Sequence, residues 1–222
     1  MKQMVAVVMS AILLTGCSVF GVRSGTEQAS YTVIAHVDDK TEVRRYPPQL
    51  VAETSVTASD ESSGRNQAFR VLFDYISGDN RAKTSVAMTA PVETAAAPET
   101  IAMTVPVETT SQAGETWSMR FFLPAEYTWE TVPEPTNPAV RIAELPERTI
   151  AVRRFSGSRR SENVARHASD LSHALEGSRW HAVGEPFTLF YDPPWTLPFL
   201  RRNEVAVPVT CEAASDCEPA RQ

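Results

Sequence analysis

The sequence predicts an α+β protein, an antiparallel sheet curled toward a barrel and covered by two helices. Three observations carry that expectation. Segments of two-residue alternation dominate the chain, and two stretches switch to helical spacing. The order strand pair, helix, strands also occurs twice, once within residues 42–109 and once within 140–209. The halves share negligible identity, so any duplication is one of topology.

In the first half, "YTVIAHV" (31–37), "EVRRY" (42–46) and "LVAETSV" (50–56) read as strands, with Pro47-Pro48 as the turn between the last two. From Glu61 the period changes. Phe69, Leu72, Phe73 and Ile76 fall at helical spacing, Ser62 or Ser63 can cap the helix, and Gly78 stops it. Two near-identical stretches follow, "SVAMTAPVET" (85–94) and "TIAMTVPVET" (100–109). They read as an antiparallel hairpin across the loop 93–100, with Met88 opposite Val105 and Met103 opposite Ala90, large against small. Pro91 and Pro106 cannot donate to a ladder, so each strand should meet an edge or a bulge there. Methionine is adaptable, which suits either a loose core or a pocket for a flat apolar ligand. "TWSMRFFLP" (116–124) is a further strand and "TVPEPTNPAV" (131–140) a proline-rich loop.

In the second half, "VRIAEL" (140–145) and "RTIAVRRFSG" (148–157) read as a hairpin turning at Pro146-Glu147. A helix follows, capped by Ser161, with Val164, Ala168, Leu171 and Leu175 on one face and Gly177 at its end. "FTLFY" (187–191) and "EVAVPV" (204–209) close the sheet.

The chain begins "MKQMVAVVMSAILLTGC". Its apolar run, Met4 to Leu14, is too short for a mature membrane span and reads as the core of a secretory signal. "LTGC" is similar to the lipobox of bacterial lipoproteins, in which the cysteine is acylated and becomes the first residue. The boundaries that follow are a signal peptide at 1–16, lipidated Cys17 with a polar linker at 17–30, one domain at 31–209, and a tail at 210–222. Ser18 after the cysteine favours the outer membrane, so the expected location is its periplasmic face. An exported chain meets an oxidising compartment, so the tail cysteines Cys211 and Cys217 should be joined in a disulfide.

A hydrophobic content of 42 % allows a sizeable core, and the formal charge of −6, with no more than two consecutive arginines, argues against nucleic acid. There is no Gly-x-Ser-x-Gly, phosphate loop, His-Glu-x-x-His or cysteine placed as a nucleophile, so nothing points to an enzyme. Acidic pairs such as Asp38-Asp39 fall in turns.

"EVRRYPP", "MTAPV" repeated as "MTVPV", and "YDPPWTLPFLRRNEV" (191–205), in that order, resemble the SOUL haem-binding family over residues 31–209. The resemblance implies a distorted antiparallel β-barrel flanked by two helices, arising from internal duplication. It also implies reversible, non-enzymatic binding of haem or a related tetrapyrrole. In one branch of the family a histidine ligates iron where this chain has Arg45. In the other, haem lies in an apolar groove beside the first helix, with basic residues near its propionates. By that analogy Phe69, Leu72 and Phe73 line the groove and Arg65 or Arg70 meets a propionate; Met88 and Met103 are further candidates to contact the ring, by the adaptability of methionine. Equally, the three apolar residues can form the helix's core face. Trp195 and Phe199 sit in a loop stiffened by prolines that can fold as a lid, with or without a ligand beneath it, and Arg201 or Arg202 could meet carboxylates. His36, His167, His173 and His181 have no partner at ligand spacing. Two other readings remain open: a module for another amphipathic small molecule, since the plan resembles effector-binding domains of bacterial regulators, and an envelope interaction protein with a vestigial groove.

Overall fold

A computed structural model describes residues 26–97, 115–193 and 195–212. The strands are β1 (Thr32–Asp38), β2 (Thr41–Tyr46), β3 (Gln49–Ala58), β4 (Val92–Ala97), β5 (Glu115–Phe122), β6 (Arg141–Leu145), β7 (Arg148–Phe155), β8 (Trp180–Ala182), β9 (Phe187–Phe190) and β10 (Asn203–Cys211). The helices are α1 (Glu61–Ile76) and α2 (Ser161–Leu175), with a 3₁₀ turn at Pro198–Leu200. All strand pairs between these elements are antiparallel, and the chain is α+β as expected.

The chain divides into two compact units. One comprises Met1–Pro47, Thr89–Pro91 and Glu147–Gln222, the other Pro48–Met88 and Val92–Pro146. The first carries the strand order β1-β2-β7-β10-β9, with β8 on β10, and the second β6-β3-β5-β4. Set side by side, β2-β7-β10-β9 and β6-β3-β5-β4 are the same arrangement, and each has its helix inserted after the second strand. The topological repeat is therefore present.

The two hairpins expected at its head are not. β2 pairs with β1 and β7, while β3 pairs with β5 and β6. The connectors Pro47-Pro48 and Pro146-Glu147 are each two residues long, and a two-residue hairpin needs positive φ that proline, fixed near −65°, cannot supply. At both connectors the chain passes from one unit to the other. The single strand expected over 85–94 is not formed either. Val86–Thr89 is not in a strand, Ala90-Pro91 is a cis peptide, and β4 begins only at Val92, where it pairs with β5 through Val92–Phe121. Residues 100–109 lie outside the described residues, Met103 among them.

Each unit packs its helix on one face of its sheet. α1 buries Gly64, Ala68, Leu72, Tyr75 and Ile76 against Ala52, Val56, Met119 and Phe121. α2 buries Leu171 and Leu175, with Val164 and Ala168 half-buried, against Val43, Ala151, Val205 and Val207. The caps differ from expectation. Asp60, not Ser62 or Ser63, caps α1, its Oδ1 accepting from Ser63 N at 3.0 Å. Ser161 is the first residue of α2 rather than its cap, and Arg160 stands at the cap without a side-chain bond. Gly78 and Gly177 end the helices in positive φ, as the sequence indicates.

Gly64 marks where α1 approaches its sheet most closely. A Cβ there would stand 2.3 Å from Trp117 Cδ1. Gly64→Ala should therefore destabilise the protein by about 1–3 kcal/mol through overpacking, although alanine favours a helix interior. A chemical-denaturation midpoint at or above wild type would show that Trp117 can yield.

Candidate functional site

The stripe α1 buries leaves Phe69 and Phe73 on its flank, 36 % and 46 % exposed. They stand one turn apart with rings stacked at 5.7 Å, and Phe69 meets the buried Phe121 edge-on at 5.5 Å. Helical spacing alone cannot separate this flank from the core face, because both lie within the same apolar arc. Tyr75 and Ala68 complete the buried stripe instead. Leu72, expected along a groove, is wholly buried in the core and cannot face a ligand. Arg65 Nη1 pairs with Glu61 at 2.8 Å, Arg70 is exposed, and Met88 is 38 % exposed in the same unit.

No cluster of three metal-ligating side chains exists among the described residues. The family's ligand position, Arg45, is half-buried on β2. His36 is exposed, His173 bonds the Ser169 backbone carbonyl at 2.8 Å, and His181 is exposed with Glu212 3.9 Å away. His167 stacks on Phe155 at 4.3 Å and lies 3.4 Å from Asp170. Burial and the charge of Arg166 hold its imidazole below the ordinary value. α1 itself carries no histidine, and all four histidines of the chain belong to the other unit.

Trp195 and Phe199 belong to the other unit and are 63 % and 69 % exposed. Arg201 Nε donates to the Thr196 carbonyl at 2.7 Å, so it stiffens its own loop. Cys211 ends β10 and is disulfide-bonded, while Cys17 and Cys217 lie outside the described residues. An open cleft of about 700 Å³, lined by Trp129, Val132, Val140, Arg141 and Ile142 among others, contains none of the residues expected at a haem site.

One arrangement was not expected from the sequence. Glu204 on β10 is fully buried and receives Arg44 Nη1 at 2.7 Å and Nη2 at 3.2 Å, Arg202 Nε at 2.8 Å and the Tyr191 hydroxyl at 2.9 Å. Burial alone would raise this carboxyl, but the bonds from Arg44 and the charge of Arg202 overcome it and hold the group below its ordinary value. Arg44 also bonds Glu42 and lies over the Tyr31 ring at 4.3 Å. Two of the quoted motifs, "EVRRYPP" and "YDPPWTLPFLRRNEV", therefore meet at one buried ion cluster. In the other unit, Arg141, Glu53, Arg120 and Glu93 stand directly opposite one another along β6, β3, β5 and β4. Arg120 reaches Glu53 at 2.8 Å and Glu93 at 2.9 Å, and Arg141 bonds Glu53.

Taken together, the chain is a sheet-and-helix repeat whose buried charges are paired with one another, and Phe69, Phe73 and Phe199 are exposed on it. The SOUL heme-binding protein family model matches residues 26–208, and the chain belongs to that family. It is 30 % identical over 165 residues to Heme-binding protein 2 of Homo sapiens, covering 74 % of this chain and 75 % of the relative. To Heme-binding protein 1 of Mus musculus it is 26 % identical over 155 residues, 69 % and 76 % of the two chains. Among solved structures, the C-terminal domain of EcmrR superposes with a TM-score of 0.57 at 12 % identity, over 78 % of this chain and 98 % of that one. A hydrolase from Listeria innocua gives 0.54 at 10 %, over 77 % and 92 %. At such identities the likeness is one of fold alone.

The Glu204 carboxyl sets an acid limit. Because its folded pKa is depressed, its contribution is complete above the ordinary carboxyl value of about 4.5 and is lost as pH falls through the lower folded value. Glu204→Gln removes the counter-charge of the part-buried Arg202 and the buried partner of Arg44, which keeps only Glu42, and should cost about 3–5 kcal/mol at neutral pH. The loss of stability on acidification should be shallower in the variant than in wild type. Parallel curves of unfolding free energy against pH would show that Glu204 does not carry the acid limit.

Proposed function

We propose that this chain is a lipid-anchored envelope protein that binds haem or a related tetrapyrrole reversibly, on the aromatic flank of α1. The observation that carries this reading is the stacked, half-exposed pair Phe69–Phe73 on a helix whose core stripe is already filled. Membership of a haem-binding family and two relatives named as heme-binding proteins support it. When bound, the ring supplies a broad apolar face and two carboxylates. Phe69, Phe73 and Met88 offer apolar surface to the face, and Arg70, or Arg65 on release from Glu61, offers a cation to a propionate. Burying roughly 300 Å² of apolar surface is worth about 7 kcal/mol before ordering costs, which places affinity in the micromolar range or weaker without an iron bond.

Hemin titration of the mature chain tests this. Phe73→Ala should weaken binding about tenfold, or ~1.4 kcal/mol, while His36→Ala, His167→Ala and His181→Ala leave the spectrum unchanged. Metal-free protoporphyrin should bind within about tenfold of hemin. A six-coordinate low-spin spectrum abolished by one histidine substitution would refute the mode of binding. A second reading, a site for another amphipathic small molecule, is favoured by the cleft beside Trp129, whose volume falls in the range of small-ligand sites. Binding that follows Trp129→Ala and ignores Phe73→Ala would place the ligand there.

The lipobox supports export and acylation at Cys17, and Ser18 supports the periplasmic face of the outer membrane. The absence of a nucleophile or metal motif in the sequence supports a binding role without enzymatic chemistry, and the acidic balance a role without nucleic acid. Cys17→Ala should release the protein from membranes without detergent. Protein from the periplasm should show Cys211 linked to Cys217 by non-reducing mass spectrometry, and free thiols there would exclude the disulfide.

A further inference from the structure

We propose that the loop 195–202 is a second membrane contact, with Trp195 and Phe199 entering the interfacial layer of the bilayer that holds Cys17. This rests on the lipid-anchor reading above and goes beyond it. Phe199 and Trp195 are the two most exposed large hydrophobic side chains among the described residues. They are not at the tip of a slack loop. Thr196 between them is fully buried, Gly157 N donates to the Pro198 carbonyl at 2.8 Å, and Arg202 N donates to Asp192 Oδ2 at 2.6 Å. A loop fixed this firmly holds its aromatic side chains outward, against the usual preference for burial.

The surroundings fit a lipid surface. Asp192, the loop's acid, is buried and already bonded, whereas Arg201 is half-buried and Arg160, three residues from Gly157, is exposed. Tryptophan favours the headgroup level, arginine reaches outward from it, and anionic headgroups attract the cations. The position of the tether selects a bilayer over other apolar partners. Arg202 Nη1 donates to Gln28 Oε1 at 3.2 Å and Nη2 to the Tyr31 hydroxyl at 3.3 Å, so the loop's end is fixed to the start of the described chain. Cys17 precedes Gln28 by 11 residues, and at no more than ~3.6 Å per residue it stands within ~40 Å of it. A tether of that length lets the acyl chains and the aromatic loop reach one surface, and two insertions into one bilayer hold a protein better than one.

The test uses the acylated chain purified from membranes and reconstituted in phosphatidylethanolamine and phosphatidylglycerol vesicles doped with brominated lipid. Tryptophan emission should be partly quenched, and the quenchable fraction should fall at least about fivefold in Trp195→Phe but not in Trp129→Phe. Omitting phosphatidylglycerol should reduce the quenching. Equal quenching of wild type and Trp195→Phe, or none in wild type, overturns the contact. So does Trp195 emission that responds to hemin and not to brominated lipid, which would assign the loop to the tetrapyrrole. The mass of the N-terminal peptide reports the anchor separately. An acylated chain without Trp195 quenching refutes the contact alone. An unacylated chain that is still quenched refutes the anchor alone.

Discussion

The carboxylate of Glu204 is the constraint on which the first unit depends. It sits on β10, between β7 and β9, on the sheet face opposite the one that carries Val205 and Val207 to α2. A fully buried carboxylate is costly unless its oxygens are saturated. Here two guanidinium groups and a phenol saturate them, and each comes from a different place in the chain. Arg44 fixes β2, Tyr191 fixes the exit of β9, and Arg202 fixes the end of the loop that leads into β10. Arg202 passes the constraint on to Gln28 and Tyr31, so even the entry of the chain is set by it. A slip of one residue on β10 would turn Glu204 toward the apolar side of the sheet and take its carboxylate from both arginines, so the cluster specifies register as well as contributing to stability.

The second unit meets the same need with different chemistry. Its four strands carry an alternating row, Arg141, Glu53, Arg120 and Glu93, with each charge opposite its counter-charge. Directly opposed pairs on a sheet attract and penalise misregistry. The repeats thus share strand order and helix position but not the residues that enforce them, which is why the halves have no visible sequence identity. Their first strands are also exchanged, β2 going to β7 and β6 to β3. The proline-bearing connectors make that exchange the natural outcome, since they forbid the local alternative.

The α+β class, the two helices and most strands were legible because alternation and helical spacing are local properties. Partners were less so. The hairpin reading of "EVRRYPP" with "LVAETSV" used proximity in sequence where the identity of the turn residues was the better signal: Pro-Pro is a poor substitute for Asn-Gly. The twin stretches at 85–94 and 100–109 misled differently. Their likeness suggested mutual pairing, but Pro91 delays the first strand until Val92, where β5 pairs with it, and the second stretch lies outside the described residues. On α1, spacing and family resemblance singled out Phe69, Phe73 and Leu72 together. Only packing separates the three, because Tyr75 and Ala68 claim the stripe that Leu72 shares. The ion cluster was hidden because Arg44 and Glu204 are distant in sequence, and a charge in an alternating strand reads as the solvent face. Its one trace was that both residues fall inside the segments that carried the resemblance.

That coincidence bears on what the family's motifs are for. Arg44, Tyr191, Arg202 and Glu204 are committed to one another, so these four residues serve the architecture, and in the proposed mode a ligand uses exposed residues elsewhere. On α1 these are Phe69 and Phe73, held on the flank by a helix that has already buried five other positions. In the proposed mode, the chain needs no histidine where Arg45 stands, because the ring is held by apolar contact rather than by an iron bond. Contact of that kind is modest in strength and fast to reverse, which suits a protein that takes up and releases a hydrophobic molecule. The same logic separates the second aromatic pair from the first. Trp195 and Phe199 stand on a loop locked by Asp192, Thr196 and Arg202, the last of which also bonds Gln28, eleven residues beyond the proposed anchor at Cys17. An aromatic surface fixed to the tether end is suited to the membrane, and one carried on the flank of a helix to a ligand.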